Sequence, residues 1–82
     1  MNEQEILGTL SRILGELLDN DSLALTMNTR RDDVDDWDSF MYINFVVAVE
    51  QEFQVKFGVA EIESFENVGA IVANIQQLQA TA

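Results

Sequence analysis

The stretch "DDVDDWDSF", residues 32–40, sets one serine behind five aspartates and a tryptophan, and an apolar run follows it at once. Two chemistries fit these residue types. Ser39 offers a hydroxyl that can attack an electrophilic centre such as a phosphate, once another group takes its proton. The carboxylates of Asp32, Asp33, Asp35, Asp36 and Asp38 offer oxygen ligands for a divalent cation, or an acidic surface for a basic partner. The bland reading is structural. Asp38 or Ser39 would cap a following helix, and the other aspartates would be a solvated loop.

Spacing weakens the cation reading. Counted from Asp33, the glycine that a calcium-binding loop needs at its sixth position is missing, and its twelfth position is Asn44 instead of Glu. No metal is expected. The chain also has no His and no Cys, which removes the commonest general base, thiolate catalysis, disulfides and thiolate-bound metals. Nothing beside Ser39 can activate it, so the chain is not expected to be an enzyme. The base for any reaction at this hydroxyl must come from another protein.

The whole-chain balance fits a protein partner. Fifteen Asp and Glu against four Lys and Arg give a formal net charge of −11 in 82 residues. Such a field repels nucleic acid and anionic membrane surfaces and favours proteins with basic patches. The start, "MNEQEILG", lacks the basic-then-apolar layout of a secretion signal, and "FVVAV" is too short to span a bilayer. A cytoplasmic monomer is the expectation. The length allows one small domain, 1–82, and the 48% apolar content is enough for a compact core.

Helical periodicity supplies the elements that would position Ser39. Ile6, Leu10, Ile13 and Leu17 mark a first helix over 3–18, opened by Asn2 and Glu5 as a capping pair. Residues 19–38 hold no helical period, and a loop that long in a small domain is a functional signal. Leu23, Leu25, Met27 and Val34 would pin it to the core. A second helix is expected over 39–54, with Phe40, Ile43 and Val47 on one face and Val46, Val49 and Phe53 beside them. A strand competes over "INFVVAV", but the length of the pattern and Glu50, Gln51 and Glu52 favour helix. Gly58 breaks the chain before a short helix over 60–64. A last helix over 67–79, capped by Asn67, sends Val68, Ile71, Val72, Ile75 and Leu78 inward, and "QQLQATA" reads as a fraying tail. The fold class is all-α: a small four-helix bundle, three main helices and one short one, with a long loop between the first two.

A long loop, an Asp-Ser pair and an apolar helix with an acidic tail resemble the acyl carrier protein family. Its Asp-Ser-Leu is matched by Asp38, Ser39 and Phe40, its "ALEEEFGI" by "AVEQEFQV" at 48–55, and its Thr-Val opening of the closing helix by Asn67-Val68. The resemblance implies a phosphopantetheine arm on Ser39, attached by a phosphopantetheinyl transferase using coenzyme A, with Asp38 as the motif neighbour. It implies acyl ligases, synthases or transferases as further partners, with basic docking surfaces. Asp35, Asp36, Phe40, Met41, Glu50, Glu52 and Ile62 are the residues expected to meet them. Under this reading the serine is a tether point and the aspartates guide cationic partners to it.

The departures from the family pattern concern partners. Phe40, Met41 and Tyr42 follow the serine where Leu and polar residues are usual, and Asn44 stands where Glu is common. Asp36-Trp37 replaces a usual Gly-Ala, and Phe57-Gly58 a usual Ile-Pro. These changes point to a specialised lipid or polyketide-type pathway. The Gly-Gly of aminoacyl carriers is missing, which leaves an aminoacyl or D-alanyl carrier as the alternative cargo class. The rival from another class is an acidic helical adaptor without a prosthetic group.

Overall fold

A computed structural model describes residues 2–81. Its order is α1 (Glu3–Leu18), α2 (Ser39–Phe53), α3 (Val59–Ser64) and α4 (Val68–Thr81), with a single 3-10 turn at Arg31–Asp33 inside the long loop. No strand occurs among the described residues, so "INFVVAV" is helical. α1 packs against both α2 and α4. Ile6, Leu10 and Leu14 of α1 meet Phe45, Val46 and Val49 of α2 and Val68, Ile71, Val72 and Ile75 of α4 in one core.

Three of the four helices, α1, α2 and α4, start where a short polar side chain takes an orphan backbone N–H. Asn2 Oδ1 accepts from Glu5 N at 2.9 Å, and Asn2 N donates to the Glu5 carboxylate at 3.0 Å. Asp38 Oδ1 accepts from Met41 N at 2.9 Å, and Asn67 Oδ1 from Ala70 N at 2.9 Å. α1 and α2 stop at Asp19 and Gln54, which both take the left-handed conformation at the C-cap with φ 55° and 57°. α4 continues through Thr81, so "QQLQAT" is helical and not a frayed tail, and Ala82 lies outside the described residues. Leu78, packed against the core, holds its last turns in place.

The long loop is pinned at both ends of its middle section. Leu25 N donates to Ser11 Oγ on α1 at 3.0 Å, and Leu25 is buried. The carbonyls of Thr29 and Met27 accept from Val68 N and Gly69 N, both at 2.8 Å, and so cap the start of α4. The approach leaves no room for a side chain at Gly69, where an added Cβ would lie 2.7 Å from the Met27 oxygen. The loop therefore reaches Ser39 from a fixed direction.

The phase of α2 differs from a simple reading of its apolar residues. Phe45, Val46, Val49 and Phe53 are buried, whereas Phe40, Ile43 and Val47 are 74%, 53% and 46% exposed. At 100° per residue, these three fall on the side opposite the core. Burying Phe45 and Val49 turns Phe40, Ile43 and Val47 outward.

Candidate functional site around Ser39

Asp36 makes the turn that delivers Ser39. It adopts φ 67°, a left-handed conformation that glycine takes without strain and aspartate tolerates better than most side chains. Trp37 then drops inward, only 5% exposed, with its ring edge-to-face on Phe45 at 5.2 Å and tilted against Tyr42 at 6.0 Å. With Trp37 as anchor and Asp38 as cap, Ser39 is fixed as the first residue of α2 and is exposed.

The Ser39 hydroxyl is free. Ser11 Oγ accepts from Leu25 N, Ser22 Oγ bonds Asn20 Oδ1, and Ser64 Oγ donates to the Glu61 carbonyl. Among the described serines, only Ser39 has a side chain without an internal hydrogen bond. It lies at the positive end of a 15-residue helix, where an anion is favoured.

Ser39 borders a cleft of about 530 Å³. The apolar wall includes Tyr42, Ile62, Phe65 and Ile71. Tyr42 bridges α2 and α3, because its hydroxyl donates to the Ile62 carbonyl at 2.8 Å. Burial pushes the Tyr42 phenol above its ordinary pKa, and the Arg31 guanidinium, 5.4 Å from the ring centroid, offsets this in part. Arg30 and Arg31 are on the rim with Asp32, Glu63 and Glu66, so the rim is electrostatically mixed. Trp37 is also among the residues that line the cleft, and its Nε1–H is buried with no acceptor. An unpaired buried donor costs about 1–3 kcal/mol.

The expected partner residues divide by their internal duties. Asp35, Asp36 and Phe40 are exposed around Ser39. Met41 is half-buried, and Ile62 is half-buried on the cleft wall. Glu50 Oε2 accepts from Phe57 N at 2.8 Å, which ties the end of α2 to the turn beyond it. Glu52 holds Arg12 at 3.1 Å. Sequence patterns did not single out Tyr42, Arg31 or Ile71 as cleft residues, because helix phase decides their placement. Glu61 was also missed. Its carboxylate accepts from Gly58 N at 2.8 Å and from Asn74 Nδ2 at 2.6 Å, joining α3 to α4, and these bonds hold its pKa below the usual carboxylate value. No cluster of three or more potential metal ligands forms among the described residues.

Comparison with known proteins decides the family. The profile described as "Phosphopantetheine attachment site" matches residues 4–75. The chain belongs to that family. Its prosthetic group is phosphopantetheine, and its members are carriers, not catalysts. The fold agrees with the solution structure of a holo acyl carrier protein from Geobacter metallireducens: TM-score 0.85 and 32% identity, over 93% of this chain and 87% of that one. No curated protein sequence matches. The residues around Ser39 fit such a group, with a free exposed hydroxyl, a helix N-terminus for a phosphodiester and an adjoining cleft. No described helix is long and apolar enough to cross a membrane.

Proposed function

We propose that this carrier bears its phosphopantetheine on Ser39 and holds acyl intermediates for a specialised lipid or polyketide-type pathway in the cytoplasm. The free hydroxyl of Ser39, presented at the start of α2 beside the cleft, is the observation that carries the assignment. The Ser39 oxygen attacks the pantetheine-bearing phosphorus of coenzyme A. An O–P bond forms, the pyrophosphate link breaks, and adenosine 3′,5′-bisphosphate leaves. The hydroxyl proton passes to a base on the phosphopantetheinyl transferase, because this chain has no His and no base bonded to Ser39. The bound arm supplies a terminal thiol that carries cargo as a thioester, and the tether raises the local concentration of that cargo at the partner enzyme.

The protein's own residues then govern access. Asp35, Asp36 and Asp38 draw basic surfaces towards Ser39, and Phe40, Ile43 and Val47 give them apolar contact. That apolar face supports a partner set unlike that of a carrier with an acidic second helix. The test is Ser39→Ala. The variant should keep the helical circular dichroism of the parent and gain no mass with coenzyme A, magnesium and a transferase of broad specificity. A phosphopantetheine increment on that variant would place the attachment elsewhere.

A further inference from the structure

This inference rests on the carrier reading and concerns what the tethered chain meets in the cleft. Trp37 is two residues from Ser39, both line the same cleft, and the indole is 5% exposed with its N–H unpaired. The other polar groups nearby are occupied or carry no preference. The Tyr42 hydroxyl already donates to the Ile62 carbonyl. Arg30 and Arg31 are countered on the rim by Asp32, Glu63 and Glu66, so charge does not select a cargo. As a purely structural anchor, Trp37 gains its edge-to-face contact with Phe45, and a phenylalanine could supply most of that. An N–H facing an aromatic ring is weakly satisfied at best. The indole N–H is the feature that a structural role leaves unexplained.

We propose that Trp37 Nε1–H is a recognition donor for a carbonyl oxygen brought into the cleft by the chain tethered to Ser39. The wall of Tyr42, Ile43, Ile62, Phe65 and Ile71 suits an acceptor set between apolar groups, where a hydroxyl oxygen could accept the bond but would leave its own proton unpaired, so a carbonyl oxygen fits best. Amide carbonyls of the arm and oxo groups of a partly reduced acyl cargo share this chemistry. A saturated acyl chain offers no acceptor beyond the thioester carbonyl common to every loaded form. Where the cargo and not the arm supplies the oxygen, the cleft favours oxygenated over saturated intermediates. The N–H is shielded from water, so the acceptor reaches it by displacing a neighbour.

Trp37 is the only tryptophan, so its indole N–H gives one resonance in a nitrogen-labelled sample. The apo protein is compared with the holo form and with holo protein carrying hexanoyl or β-oxohexanoyl. A downfield move of the indole proton with slower solvent exchange in the holo form assigns the acceptor to the arm. The same change confined to the β-oxohexanoyl form assigns it to the cargo. Hexanoyl should add nothing to the holo spectrum. In either case Trp37→Phe, which retains a ring, should shrink the gain in melting temperature of the responding form over the apo protein. A complete mass increment with an indole resonance unmoved in every form overturns this inference and leaves the carrier reading standing. Failure of the increment itself overturns the carrier reading and this inference together.

Discussion

Asp38 has two separable roles, and two substitutions distinguish them. Its Oδ1 accepts from Met41 N at 2.9 Å, and its charge sits at the positive end of α2 beside Ser39. Asp38→Ala removes both. Losing an N-cap costs about 1 kcal/mol, and the charge-to-dipole interaction at an exposed helix end adds roughly 0.3–1 kcal/mol. For a domain of this size, each 1 kcal/mol lowers the melting temperature by about 4–8 °C. Asp38→Asn keeps an oxygen in place and loses only the charge, so its fall should be roughly a quarter to a half of that. Thermal unfolding followed by circular dichroism measures both variants. The rate of phosphopantetheine transfer, followed by intact mass at rising salt, measures the charge. Asp38→Asn should slow transfer at low salt, and the gap to the parent should close as salt screens the surface. If Asp38→Asn lost as much stability as Asp38→Ala, the cap assignment would be wrong. A transfer rate equal to the parent at low salt would remove Asp38 from the surface that draws the transferase.

Other positions test the frame around the site. Gln54→Gly should raise stability by about 1 kcal/mol in denaturant titration, because the C-cap of α2 sits at φ 57°, where glycine is not strained. Gly69→Ala should destabilise by roughly 1–3 kcal/mol despite alanine's better helix propensity, since its Cβ would meet the Met27 oxygen at 2.7 Å. Glu61→Gln should flatten the acid limb of a stability profile. The folded-state pKa of Glu61 is lowered, so its contribution is present above the ordinary carboxylate pKa and lost as pH falls through the lowered value. An unchanged acid limb would detach Glu61 from the α3–α4 tie.

The parts legible in the sequence were those with one dominant local signal. Asn2, Asn67 and one of Asp38 and Ser39 read as caps because a short polar side chain before an apolar-periodic run has few other uses, and the structure gives the third cap to Asp38. Asp38-Ser39 read as the junction between a long loop and a helix, and the chain enters α2 there. The phase of α2 was not legible. Phe40, Ile43 and Val47 are as apolar as Phe45, Val46 and Val49, so periodicity offered two faces and only packing against α1 chose between them. Glu50 was expected on the partner-facing surface and Glu61 carried no signal of its own, yet each accepts a turn N–H, a duty set by where the chain bends after α2. Likewise the strained φ of Asp36 and the unpaired indole of Trp37 are properties of the folded turn. Only the replacement of a usual Gly-Ala by Asp36-Trp37 hinted at them.

The most direct test of the account is the site of modification in protein produced together with a phosphopantetheinyl transferase. Intact mass and peptide mapping should show one phosphopantetheine increment, confined to the peptide containing Ser39. An increment on a peptide bearing Ser11, Ser22 or Ser64, or a folded protein that stays unmodified beside a transferase active on other carriers, would contradict it.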